Sequence, residues 1–128
     1  MRVDMVPASC LLPNAQRRAK HWVWGPAAAE LREQTAWAAW QVASGKNRPL
    51  VPEADVHLAA TIAWPKGRKQ CDYQAAVHAL KAAVDGLEDG GWIGNDRQVV
   101  GMTVQQTKDP AGAGWVEITM REATHSHE

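Results

Sequence analysis

The chain has 128 residues, which suits one domain and is short for two. Its 45% hydrophobic and 22% charged residues are those of a chain that packs a core, which excludes the disordered and fibrous classes. Fourteen Lys and Arg balance fourteen Asp and Glu, so no net field draws the molecule to nucleic acid or to a membrane, and such a partner has to be met by local charge.

Residues 2–7 alternate polar and apolar positions around Val3 and Met5 and predict a half-buried first strand, ended by Pro7. Residues 8–20 show no period and carry Arg17, Arg18 and Lys20, the pattern of a basic loop. Pro26 suits the first turn of a helix, where its missing N–H costs nothing, and the Ala-rich run to Ser44 has high helix propensity, with Gly45 as its stop. Leu31, Trp37, Ala38 and Val42 are the apolar stripe expected of that helix. Within residues 51–64, Val56, Leu58, Ala60, Ile62 and Trp64 recur at strict period two and predict a long strand whose other face holds His57, Ala59 and Thr61. Pro65 breaks it, and Lys66, Arg68 and Lys69 make a short basic loop. Asp72 then precedes a helix whose Val77, Leu80, Val84 and Leu87 face the core, with Gly90 and Gly91 at its end. Residues 98–108 and 114–121 read as two strands separated by a turn at residues 109–112.

The order β-α-β-α-β-β predicts a single α+β domain over residues 1–122, with two main helices packed on a mixed or antiparallel sheet, followed by a polar tail over 123–128 that contains His125 and His127. Seven tryptophans, one Tyr and no Phe leave indoles to fill volume, and Trp22, Trp37, Trp40, Trp64 and Trp115 read as core or interface residues. No apolar run approaches the ~18 residues of a membrane span, and Asp4, Pro7 and Cys10 interrupt any signal-peptide core, so a cytoplasmic protein without membrane contact is expected. Cys10 and Cys71 have no CxxC or zinc-type spacing around them and read as reduced, structural thiols.

The charge is unevenly partitioned, with seven cations against three anions over residues 1–48 and three against eight over residues 85–128. Such a chain can hold phosphates at one end and supply carboxylates at the other, although a solvated surface gives the same asymmetry. No Walker loop, GxGxxG, HExxH or GxSxG occurs. What the sequence offers is a basic loop, Asp72, a helix bearing Lys81 and Asp85, a Gly pair and Asp96. Two converging carboxylates with cations nearby are what metal-assisted phosphodiester cleavage needs: the carboxylates hold the ion, and the cations hold the backbone. Each residue also has a plainer reading. Asp72 fits an N-cap, Asp96 a turn residue, Lys81 and Asp85 an i, i+4 surface pair, and Lys66, Arg68 and Lys69 a solvated loop.

The segments KGRKQCDYQA (66–75), KAAVDGL (81–87), GGWI (90–93) and NDRQVV (95–100) resemble the RusA family of Holliday-junction resolvases, especially its phage-borne branch. The family pattern is a basic run, D-x-D-N, a helix with a Lys and D-G/A-L, a small-residue turn, and D-D-x-x-V. Asn14, Arg17 and His21-Trp22 resemble its N-terminal segment with looser spacing. The resemblance implies a RusA-like fold and an Mg²⁺-dependent endonuclease, with Mn²⁺ as the alternative ion where acids are replaced, that cuts paired strands at four-way DNA junctions in recombination, repair or phage DNA processing. It further implies a homodimer without an organic cofactor, acting in a bacterial cytoplasm. Asp72, Asp96 and Lys81 match catalytic positions. Asp72 and Asp96 would ligate the metal with Gln74 and Asn95 as secondary oxygen donors, and Arg17, Arg18, Lys20, Lys66, Arg68 and Lys69 would hold the DNA backbone. The chain departs from the pattern where Gln74 and Asn95 stand for acids and Ala75 for the Asn. Each amide keeps one oxygen but removes a full charge from the metal's shell, which weakens Mg²⁺ binding. A junction-binding protein that cleaves poorly is the alternative, and a small interaction module whose caps imitate the motif is another.

Overall fold

The period-two run is the centre of the molecule. In the computed structural model, which describes residues 1–8, 21–43 and 54–123, it forms β2 (Val56–Pro65), preceded by β1 (Arg2–Val3) and α1 (His21–Ala43). After it come α2 (Tyr73–Ala79), α3 (Lys81–Asp89), a 3-10 turn (Asp96–Gln98), β3 (Val99–Asp109) and β4 (Trp115–Glu122). The architecture is a small single-domain α+β fold with a four-stranded mixed sheet in the order β1-β4-β2-β3.

Strand β2 runs parallel to β3, with Leu58 opposite Met102 and Ile62 opposite Gln106. It runs antiparallel to β4, with Leu58 opposite Met120 and Ala60 opposite Ile118. Although β3 and β4 follow one another in the chain, β2 lies between them. Gly114, at φ +89°, turns the chain into β4, and a Cβ there would lie 2.7 Å from the Ala63 carbonyl oxygen, so only glycine fits. The alternation buries Val56, Leu58, Ala60, Ile62 and Trp64 together with Val116 and Ile118. The opposite face exposes Ala59, Thr103, Gln105 and Thr119, and no helix among the described residues covers it.

Three expectations are corrected. The first strand pairs only at Arg2 and Val3. Beyond it Met5 and Val6 leave the ladder and pack against the core, so apolar alternation there marks burial without strand pairing. Helix α1 starts at His21, and Pro26 lies inside it. The proline removes one bond near the helix start, and the rest of the Ala-rich run keeps its ladder. The buried line of α1 is Leu31, Thr35 and Ala39, whereas Trp37 and Trp40 are 58% and 54% exposed and Val42 is exposed as well.

The reason for that last change lies on α3. A Cβ at Gly86 would sit 2.5 Å from the Arg32 carbonyl oxygen and 2.8 Å from Thr35 Cβ, and one at Gly90 would sit 2.5 Å from the Ala36 oxygen and 2.6 Å from Ala39 Cβ. The helices touch backbone to backbone, so only small side chains fit between them and the indoles face outward. Thr35 turns its hydroxyl back to the Leu31 carbonyl at 2.7 Å and so enters this apolar contact with its polar atom satisfied. At the rim Arg32 donates to both oxygens of Asp89, at 2.5 and 2.9 Å.

The single helix expected after Asp72 breaks at Leu80, which ends α2 and begins α3 with φ −87° and ψ 0°. Ala76, Ala79, Leu80, Ala83 and Leu87 bury the face turned to the sheet. No helix among the described residues is long and apolar enough to cross a membrane.

Candidate functional site

The loop from β2 to α2 is built around one amide. Gln106 of β3 accepts from the Cys71 N–H at 3.0 Å and from Trp64 Nε1 at 2.8 Å, and its own Nε2 donates to the Cys71 carbonyl at 2.7 Å. That amide holds residue 71 on the strand and fixes where Asp72 begins α2. Tyr73 adds a second tether by donating its hydroxyl to the Met102 carbonyl. Burial pushes the Cys71 thiol pKa up, and the neighbouring Asp72 charge adds to the effect, so the residue is a poor nucleophile at neutral pH.

Asp72 is the N-cap of α2: its Oδ1 accepts from the Ala75 N–H at 2.8 Å. Its other carboxylate oxygen takes no hydrogen bond among the described residues. Gln74 is exposed on the first turn. Arg68 is committed to the fold, with its guanidinium 4.7 Å from the centre of the Trp64 ring and Nη2 donating to the Pro7 carbonyl at 3.0 Å. Lys66 and Lys69 are exposed beside it. Arg17, Arg18, Lys20 and Cys10, with His125 and His127, lie outside the described residues.

The second loop repeats the device. Buried Gln98 accepts from the Gly94 and Asn95 N–H groups at 2.7 and 2.9 Å and donates to the Ala54 carbonyl at 2.7 Å. Asn95 caps the 3-10 turn, its Oδ1 accepting from the Arg97 N–H at 2.9 Å. The Asp96 N–H donates to Glu88 Oε1 at 2.9 Å, while its own carboxylate is exposed and makes no ion pair among the described residues.

No family model and no curated protein matches this sequence. The site is therefore argued from geometry and chemistry. Asp72 enters on a loop that Gln106 locks to β3, and Asp96 on a loop that Gln98, at the end of the 3-10 turn ahead of β3, ties to the Ala54 carbonyl before β2. Seven residues of strand separate Val99 from Gln106, about 23 Å at ~3.3 Å per residue. The Tyr73–Met102 bond carries the start of α2 back along that strand. As donors, Asp72 keeps one open oxygen, Asp96 keeps two and Gln74 offers an exposed amide, whereas Asn95 Oδ1 already accepts from its own turn. An ion held by so few of these donors would have to retain most of its water, as Mg²⁺ does. Among the described residues no group of three or more His, Cys, Asp or Glu is close enough to hold a metal ion.

Lys81 occupies a different surface. It lines a groove of about 270 Å³ between α1 and the α2–α3 elbow, together with Trp24, Ala28, His78 and Asp85. No salt bridge joins Lys81 to Asp85, so the i, i+4 pair expected from the sequence is not formed.

The sequence reading missed Gln98, Gln106 and Tyr73. A glutamine on a strand carries no sequence signal for the loop it will pin, because that partner lies 35 residues away for Gln106.

Proposed function

We propose that the chain is a RusA-like endonuclease of branched DNA, acting as a homodimer on four-way junctions with Mg²⁺ or Mn²⁺. The observation that supports this reading most is that each motif loop is held by a glutamine amide of its own, Gln106 on the Asp72 side and Gln98 on the Asp96 side, so that both carboxylates are carried on fixed backbone. In this mechanism Asp72 and Asp96 would hold the ion, with Gln74 as a further oxygen donor, and the ion would lower the pKa of an attacking water and offset charge on the scissile phosphate. Lys66 and Lys69 hold the DNA backbone through phosphate contacts that carry little sequence information. Lys81, in the groove between α1 and the elbow and without an ion pair among the described residues, offers its ammonium to a DNA phosphate away from the two loops. Arg68 contributes through the loop it braces, since its guanidinium is engaged with Trp64 and Pro7.

The test is incubation of a labelled four-way junction with each metal. Paired nicks are expected, lost in Asp72→Asn, a variant that keeps the cap acceptor and therefore the fold. Absence of nicks at every protein concentration rejects the enzyme reading. A second reading, junction binding with poor cleavage, is favoured by the engagement of Asn95 in its own turn and by the neutral Gln74. It predicts tight structure-selective binding and a gain of cleavage in Gln74→Asp. A protein with no preference for junction over linear DNA is neither.

A further inference from the structure

The sheet face that no helix among the described residues covers carries a basic pair, independent of the two loops. His57 on β2 stands opposite Gly101 on β3 and Arg121 on β4, so imidazole and guanidinium share one row across the sheet. In the next row Ala59 lies between Thr103 and Thr119. These residues line a depression of about 110 Å³. Its floor is low because Ala59 has only a methyl group.

Gly101 shapes its wall. A Cβ at that position would lie 2.4 Å from His57 Nδ1 and 2.5 Å from Cε1, so the absence of a side chain lets the imidazole lie down on β3 beside the depression. Neither ring nitrogen of His57 makes a hydrogen bond among the described residues, and Arg121 has no salt bridge there. Of the carboxylates on this face, Glu117 lies two rows along, opposite Thr61, and is engaged by Arg2 at 3.7 Å. Asp55 stands one row beyond His57, where its backbone carbonyl accepts from the Ala123 N–H at 2.8 Å.

We propose that His57, Arg121, Thr103 and Thr119 form a binding site for a tetrahedral phosphate group on the open face of the sheet. A guanidinium fork, an imidazole and two hydroxyls surround a hollow small enough for one oxyanion; the Thr119 hydroxyl, which donates to the Ala59 carbonyl at a long 3.4 Å, would turn to the ligand, and all four side chains project from paired strands, which hold their spacing fixed. Two sources present this chemistry: a phosphodiester of DNA and a free phosphate compound.

The test begins with inorganic phosphate. Backbone and side-chain NMR spectra of the full chain are followed as sodium phosphate replaces sodium chloride at constant ionic strength. Saturable shifts centred on His57, Thr103, Thr119 and Arg121 are expected, with affinity falling at least tenfold in Arg121→Gln and in Thr119→Val. Both sites lie on exposed positions of β4, and far-UV circular dichroism confirms that the variants fold. Shifts that do not saturate, that fall equally on Lys66 and Lys69, or that persist unchanged in Arg121→Gln overturn the proposal. A second arm measures duplex DNA binding against salt. A slope shallower by ~0.9 in Arg121→Gln assigns the source as a DNA phosphate, and an unchanged slope alongside lost phosphate binding assigns a free phosphate compound. The first arm contains no DNA, so failure of the nuclease reading leaves it intact.

Discussion

Replacing Gly86 by Ala tests whether the α1–α3 contact is as tight as its geometry states. The new methyl would sit 2.5 Å from the Arg32 carbonyl oxygen, whereas ordinary contact begins at 3.4 Å, so the helices have to separate by about 0.9 Å, the difference between these distances. The obstructing atom belongs to the backbone, and no rotamer change on α1 relieves it. Overpacking of this kind costs about 1–3 kcal/mol, and the upper end applies against a carbonyl. Better helix propensity offsets about 1 kcal/mol of it, leaving a net loss of about 2 kcal/mol. That corresponds to a fall in Tm of about 6–10 °C for a chain of this size. Urea unfolding followed by far-UV circular dichroism reads the loss as a lower midpoint at unchanged slope. Ala29→Gly on the exposed side of α1 is the control and costs about 1 kcal/mol through propensity alone. A Gly86→Ala protein as stable as the parent, or more so, refutes the close crossing.

Gln106→Leu removes the partner of three polar groups in a half-buried loop and is expected to cost about 1–3 kcal/mol, with faster hydrogen exchange at the Cys71 amide as the local readout. The hydrogen bond and charge of Arg32 hold the Asp89 carboxyl below the usual carboxylate range. A depressed folded value stabilises the fold above the unfolded pKa of ~3.9 and is lost as pH falls through the folded one. Asp89→Asn should therefore lower stability at pH 7 by under ~1 kcal/mol, as befits an exposed pair, and the gap to the parent should close as the solution is acidified below ~3.9. Trp37→Ser removes an indole stacked on Trp40 at 5.3 Å but exposed to water. It is expected to cost under ~1 kcal/mol, against about 3–5 for a buried tryptophan, by the same urea assay.

Legibility in the sequence followed the kind of signal each element carried. Strand β2 was readable because Val56 to Trp64 alternate without exception and one face is buried throughout. The core line of the second helical segment was readable for a similar reason, with Leu80 and Leu87 fully buried, although the break at Leu80 carries no proline or glycine to announce it. Helix α1 misleads in the sequence because its large apolar residues and its small ones mark different faces. Trp37 and Val42 looked like core, yet a crossing set by Gly86 and Gly90 admits Thr35 and Ala39 instead. Pro26 satisfied the rule for a helix start and still lies inside one. Asp72 was legible as an N-cap and is one, a role compatible with an open second oxygen. The amide clamps were illegible because their meaning is tertiary: Gln106 and Gln98 matter through loops that only the folded sheet brings to them.

Placing the last strand between the first strand and the central one has a consequence for how the molecule is made. As the chain leaves the ribosome, β2 emerges with both flanks unpaired, gains β3 only after the helices and gains β4 last. Forty-nine residues separate the end of β2 from the start of β4. At translation rates of ~5–20 residues per second that wait lasts ~3–10 s, during which Val56 to Trp64 present a bare hydrogen-bonding edge to any neighbour on the same polysome.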